Sequence, residues 1–447
     1  MIRPERLPLT DAQLNIWFHQ KIDPKAVGYN IGQSIRFKGD LNLERLAFAQ
    51  QAVIDRFDNL RCRFFVNNEE PFQVIDEHVT TPSLTWDVRS VADPEGAAQK
   101  IIGQEFEKAF NLEQDCLCRF GLIQITDDQW EWFWVVHHLV IDGWGFQVAM
   151  QFMAEVYLNP AQAAKPPAVS WAQTVTTALT YRDSEAYLKD QQYWRTRLDG
   201  FDSVCSLASN PIPVHAPDIP AFYSCQLSRE QYDRLVAIGR DLNATPFSVL
   251  AAVYVIYLAR ITGKSDIFLA TPALGRDKQA RLAGGMMANP VALRVAIRPS
   301  NTLREIIQLV SSSMRGALRH SRYPTYEINQ IQREKNNLNL LGLTINLQSF
   351  SLHLDYGTVA ARIKTLQYGP VAESALQILD YQDAGPIELK FEYEPNYLDR
   401  STIFKHIDRL SALFKNMPEA DTVIASIKII ADTEEKAILK QSKGKIT

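Results

Sequence analysis

Hydrophobic positions along this chain change period several times, and each change marks an element. In LTDAQLNIWFHQ (9–20), Leu14, Ile16 and Trp17 group on one side behind Thr10 or Asp11, which predicts a helix capped by one of those side chains. YNIGQSIRFKG (29–39) reads as a strand. In LNLERLAFAQQAVIDRFDNLRCRFF (41–65), Leu46, Phe48, Ala49, Val53 and Phe57 recur at helical spacing before a strand. FQVIDE (72–77) is a short strand and PEGAAQKIIGQEFEKAFN (94–111) a helix. CRFGLIQITDDQWEWFWVVHH (118–138) is a pair of strands joined by a polar turn at Asp127 and Asp128. Phe146, Ala149, Met150, Met153, Val156 and Tyr157 then keep a period near that of a helix starting between Asp142 and Trp144.

NPAQAAKPPAVSW (159–171) reads as a linker, and one long charged helix is expected over 180–200. A second proline-rich stretch covers 209–222. Beyond it come a helix (247–263), a strand (266–275), a helix (302–320), two strands (340–350 and 385–395) and a helix (401–417). Strands and helices alternate in both halves, which indicates an α/β or α+β class. The length, 447 residues, calls for two or three lobes.

Composition narrows the picture. The 47 basic and 51 acidic residues give a net charge of −4, with no sign of a nucleic-acid or membrane partner. Five cysteines without a CxxC pair fit a reduced compartment and no disulfide framework. The N-terminus lacks a signal-peptide core and no run has the length of a membrane span, so a cytoplasmic location is expected.

The chemistry concentrates in WFWVVHHLVIDGWGF (132–146). Strand parity puts Trp130, Trp132, Trp134, Val136 and His138 on one face and His137 on the other, so the two histidines do not act as a pair. The three tryptophans read as core. His138 leaves an apolar strand where the chain turns into a helix, a place from which a loop presents a side chain to a cleft. Imidazole is the usual proton-moving group near neutral pH. Asp142 stands at the helix start, where a carboxylate caps backbone N–H groups or pairs with an arginine. Gly143 allows close approach by a substrate. No metal is expected, since parity separates the histidines and no HExxH occurs. GxSxG, GxxxxGK[ST] and GxGxxG are also missing, so hydrolase, nucleotidase and dinucleotide-binding readings have little support.

HHLVIDG (137–143) resembles HHxxxDG, the signature of the condensation domains of nonribosomal peptide synthetases, whose HxxxDG kernel is shared with chloramphenicol acetyltransferase. Further blocks resemble that family in order and cover nearly the whole chain. They are LPLTDAQLNIW (7–17), RFDNLRCRF (56–64), YLKDQQYWRTRL (187–198), GGMMANPVALRV (284–295), HSRYPTYEI (320–328), GLTINLQSF (342–350) and LKFEYEPNYLD (389–399). Departures are Phe57 for the usual His, Met287 for Phe, Pro290 for Thr and Gly145 where Ser is common.

The resemblance implies two acetyltransferase-like lobes, 1–172 and 173–432, forming a V-shaped pseudo-dimer with a central tunnel, and the start of a linker to a following domain at 433–447. It implies an acyltransferase that joins a thioester donor to the amine of an aminoacyl acceptor on a peptidyl carrier protein. His138 would be the base or the group that orients the amine and stabilises the oxyanion. Asp142 would hold its loop through an ion pair with Arg61 or Arg276, and Gly143 would border the acceptor path. His137, Trp144, Asn289 and Asn346 are carried over as tunnel positions, although Trp144 also reads as helix packing and Asn346 as a strand amide bonded to its neighbours.

No bound cofactor is implied, only substrates on phosphopantetheine arms or coenzyme A. An adjacent adenylation domain and a monomeric state are expected. Met1 stands a few residues before the first block, and Met286 and Met287 suit an adaptable apolar pocket. Together these favour a chain-initiating domain with a fatty acyl coenzyme A donor. Elongation or aryl transfer from a carrier-bound donor, and a non-catalytic recruitment domain, are the alternatives; a stand-alone amide synthase using coenzyme A esters is a further one.

Overall fold

The computed structural model of the protein describes residues 6–430 and 434–435, except 82, 167–168, 202–204, 209–219, 279, 337–341, 350–353, 368 and 382–383. Most of the stretch at 209–222, and the tail at 432–447 apart from Glu434 and Glu435, lie outside the described residues.

The first half runs β1 (Arg6–Pro8), α1 (Asp11–Ile22), β2 (Asn30–Lys38), α2 (Leu43–Arg56), β3 (Cys62–Asn67), β4 (Glu70–Ile75), β5 (Ser83–Asp87), α3 (Pro94–Phe106), β6 (Cys118–Gln124), β7 (Gln129–His137) and α4 (Gly143–Leu158). Two helices follow, α5 (Trp171–Arg182) and α6 (Glu185–Leu198). The second half runs β8 (Ala221–Leu227), α7 (Arg229–Asp241), α8 (Pro246–Thr262), β9 (Asp266–Ala273), β10 (Asn289–Ala296), α9 (Leu303–Arg319), α10 (Thr325–Asn336), β11 (Leu343–Ser349), β12 (Ala360–Gln367), β13 (Ser374–Asp380), β14 (Ile387–Tyr393) and α11 (Arg400–Lys415).

Two larger sheets organise the chain. One has the order β12-β2-β7-β6-β5 and the other β10-β9-β11-β13-β14-β8, beside a small sheet β1-β4-β3. Pairing is antiparallel except for β5 with β6 and β11 with β13 and β9. Each larger sheet has its own core. The first gathers Trp132, Trp134, Phe120 and Ile35 against Leu46, Val53, Phe146 and Met150 from α2 and α4. The second wraps α8, which is buried along nearly its whole length and is apolar all round for that reason. No single helix among the described residues is long and apolar enough to cross a membrane.

β7 is central in its sheet and covered on both faces, so Trp132, Phe133, Trp134, Val135 and Val136 are all buried and the period of two leaves no polar face. Two expectations need correction. Phe48, placed on the inner stripe of α2, is 48% exposed, whereas Leu46, Ala49 and Val53 face the core. The single helix over 180–200 is two, because the Ser184 hydroxyl accepts from Tyr187 N and caps a new start. Around the expected join at 172/173, α5 and α6 pack against different cores. Trp171 and Val175 of α5 lie in the first core and Trp194 and Leu198 of α6 in the second. β12, from the second half, pairs with β2 from Ala360↔Lys38 onward and completes the first sheet, satisfying backbone groups that β2 would otherwise leave open at the edge.

Candidate active site

β7 ends at His137, which is paired with Asn30 of β2, and the backbone then turns tightly. His138 N donates to Tyr29 O (2.9 Å) and Val140 N to His137 O (3.1 Å). The carbonyls of the next three residues are each taken by a side chain. Gln13 Nε2 donates to Leu139 O (3.0 Å), Asn59 Nδ2 to Val140 O (2.8 Å) and His138 Nδ1 to Ile141 O (2.9 Å). Gln13 and Asn59 are both buried, and neither was singled out from the sequence for this role. The only signal was their place in the blocks at 7–17 and 56–64, which says nothing about a partner more than eighty residues away.

The bond to Ile141 O selects the tautomer of a neutral His138 ring. A ring nitrogen facing a carbonyl carries the proton, which leaves the lone pair on Nε2. Burial lowers the pKa of this imidazole, partly opposed by the negative charge of Asp142, so the ring is neutral at physiological pH. His138 keeps partial exposure, unlike His137.

His137 belongs to the core. Its Nε2 donates to Gln20 Oε1 (3.1 Å), its Nδ1 accepts from Leu139 N (3.2 Å), and Tyr29 and Phe110 pack against its ring. Burial pulls its pKa down to about 3. The tunnel position expected for His137 is therefore a structural one.

Asp142 caps α4. Its Oδ1 accepts from Gly145 N (2.9 Å). Its Oδ2 accepts from Arg276 Nη1 (2.5 Å), Met287 N (3.0 Å) and Ala288 N (2.8 Å), all on the segment between β9 and β10 of the other lobe. Burial alone would raise this carboxyl's pKa, but the Arg276 charge and these hydrogen bonds outweigh it and hold the pKa below the usual value. Arg276 also donates to Gly285 O and Leu274 O.

Of the two arginines expected to pair with Asp142, Arg276 does so and Arg61 does not. Arg61 donates to Ile54 O (2.7 Å), Asp55 O (2.6 Å) and Asp76 O (2.9 Å), closing the C-terminal turn of α2. At a helix end with free carbonyls, an arginine only a few residues along the chain is already used.

The glycines sort by what surrounds them. A Cβ at Gly143 would meet nothing within 4 Å, so this position faces open space. A Cβ at Gly145 would collide with Gly284 O, so the close approach of residue 284 requires a glycine here. Trp144 donates from Nε1 to Arg281 O (2.8 Å) and ties α4 to the same segment.

Asn289 organises the loop before α10. Its Nδ2 donates to Ser321 O (2.8 Å) and Tyr323 O (2.7 Å), and its Oδ1 accepts from Thr325 N (3.1 Å). It borders a cleft of about 460 Å³ between the lobes, together with Thr10, Thr177, Tyr181, Met287 and Arg322. Met286, expected beside Met287 in an apolar pocket, is instead buried in the first core. Asn346 donates to Gln377 Oε1 (3.0 Å) on the neighbouring strand, the strand-amide alternative of its two readings.

Comparison with known proteins adds to this geometry. The condensation domain family model matches residues 4–439. The chain is 28% identical over 445 residues, 97% of its length, to a dimodular nonribosomal peptide synthase of Bacillus subtilis (strain 168), of which it spans 18%. It is 27% identical over 417 residues, 89% of its length, to an isonitrile lipopeptide synthase of Streptomyces coeruleorubidus, of which it spans 27%. The chain thus spans less than a third of either relative. Its structure is similar, with a TM-score of 0.87 and 25% identity over 95% of this chain and 97% of the other, to a mutant of the starter condensation domain of rhizomide synthetase in complex with C8-CoA.

Proposed function

The chain belongs to the condensation domain family, whose members in nonribosomal peptide synthetases form amide bonds by acyl transfer, and on that premise we propose that it N-acylates a carrier-bound aminoacyl group with a fatty acyl donor. The observation that carries the chemistry is the neutral His138 ring, held through Nδ1 to Ile141 O with its Nε2 lone pair free for an incoming amine. In this reading the amine nitrogen attacks the thioester carbonyl carbon, the C–N bond forms, the C–S bond breaks and the thiolate leaves. Nε2 accepts the proton that the amine loses and returns it to the departing sulfur.

A thioester is already activated, so holding both substrates at Nε2 supplies much of the rate effect. Asp142 acts by position. Its oxygens are occupied by Arg276 and three backbone N–H groups, which leaves it no part in proton transfer.

The fatty acyl donor is supported by the likeness to a starter domain holding C8-CoA. The acceptor is read as a phosphopantetheine arm on a peptidyl carrier protein, with an adenylation domain beside it. A monomeric, cytoplasmic domain is part of the same reading.

The test offers octanoyl coenzyme A or an acyl-loaded upstream carrier protein, each with an aminoacyl-loaded acceptor carrier, and follows product by mass spectrometry. N-acylated product from the coenzyme A ester alone supports chain initiation. Product only from the carrier-bound donor makes this an elongation or aryl-transfer domain, and none from either favours a recruitment role.

A further inference from the structure

His138 has a second neighbour, contributed from far along the chain. β12 crosses from the second half to complete the first sheet, and its register with β2 shifts between Thr365 and Gln367. Just beyond that irregularity the backbone passes the histidine at Gly369. This glycine is buried and has φ +112°, a conformation that side-chain-bearing residues rarely adopt. A Cβ built at Gly369 would lie 3.1 Å from His138 Cδ2, 3.6 Å from His138 Nε2 and 3.6 Å from Ile31 Cγ2. A side chain at 369 would therefore press on the Cδ2–Nε2 edge of the ring. Nδ1 is committed to Ile141 O, so this is the edge that carries the free lone pair. Gly143, by contrast, faces open space.

The geometry points to Gly369 as a specificity-determining residue: the missing side chain sets the clearance beside Nε2 and so the bulk of the amine that can reach it. An amine must come within about 3 Å of Nε2 to share its proton. A methyl group 3.6 Å from the same atom competes for that volume, most severely when the carbon bearing the amine is branched. Ile31 Cγ2 borders the position that the added methyl would take. The inference rests on the amide-forming reading for its substrate, while the clearance itself is a property of the ring edge.

The test uses two variants. Gly369→Ala adds the methyl directly but strains the backbone. Ile31→Met reaches into the same space with no change of backbone, and covers the case in which Gly369→Ala does not fold. Each is compared with wild type in two assays. In the first, amide formation is followed with glycyl- and valyl-loaded acceptor carriers. The valyl-to-glycyl rate ratio should fall about tenfold or more, the scale at which one methylene is discriminated in a tight site, with the KM for donor unchanged. In the second, diethyl pyrocarbonate acylates histidine nitrogen, releasing carbon dioxide and ethanol, and peptide mass mapping reads each site. Modification of His138 should slow relative to His78, which is exposed. Equal losses on the two acceptors, or an unchanged rate of His138 modification, overturns the inference. If the wild-type domain acylates neither acceptor, the amide-forming reading fails, and the modification rates alone decide whether Gly369 sets the clearance.

Discussion

Arg276 and Asp142, which belong to different lobes, meet through Nη1 and Oδ2 at 2.5 Å with both side chains essentially inaccessible to solvent. The same carboxylate caps α4 and accepts from two backbone N–H groups of the segment before β10. One residue thus joins the helix that starts beside His138 to the connection between β9 and β10. Removing either partner strands a buried charge. Asp142→Ala and Arg276→Ala should each cost roughly 3–5 kcal/mol in urea unfolding, and the double variant should cost much less than the sum. Arg61→Ala should instead add to Asp142→Ala within about 0.5 kcal/mol, since Arg61 serves the end of α2. Coupling between Arg61 and Asp142 as strong as that between Arg276 and Asp142 would contradict the assignment.

His138→Ala should lower amide formation by about 10²–10⁴-fold, the usual worth of a positioned acid–base group, while the melting temperature stays close to wild type. Wild-type turnover at saturating substrates would remove the imidazole from the chemistry.

Gly143 and Gly145 should respond in opposite ways although they are neighbours in one motif. Gly143→Leu projects into open space, so the variant should melt like wild type and lose acceptor turnover. Gly145→Ser forces Gly284 O away and should lower stability by about 1–3 kcal/mol. Thermal melts of the two variants side by side separate the cases; a stable Gly145→Ser protein would show that the approach of residue 284 is relaxed at little cost.

His137 makes stability depend on pH. Its folded pKa of about 3 lies below the unfolded value near 6.5. The unfolded chain therefore binds a proton that the folded chain refuses. The contribution of the neutral ring is complete above about pH 6.5 and is lost as pH falls toward about 3, with a slope of up to ~1.4 kcal/mol per pH unit. His137→Gln should flatten the decline in unfolding free energy over that range. An unaltered slope would place the acid sensitivity elsewhere, with His138 next to be replaced.

Local chemistry was enough for much of this protein. The strand that ends in two histidines, the turn at Asp127 and Asp128, the helix starts at Thr10 or Asp11 and at Asp142, and the helix over 247–263 follow from side-chain period and hydrogen-bonding capacity within about twenty residues. So does the separation of His137 from His138, since neighbours on a strand face opposite ways. What a residue meets across the fold does not follow. Arg61 and Arg276 were equivalent candidates until packing placed one at a helix end and the other in a buried clamp. Gln13, Asn59 and Gly369 carry no mark of chemistry in the sequence, yet they support or border the His138 loop from three distant segments. Period and propensity are properties of a short window of chain. The partner of a buried charge, carbonyl or ring edge is set by which segments the two cores and the crossing β12 bring together, and that is decided only when the whole chain has packed.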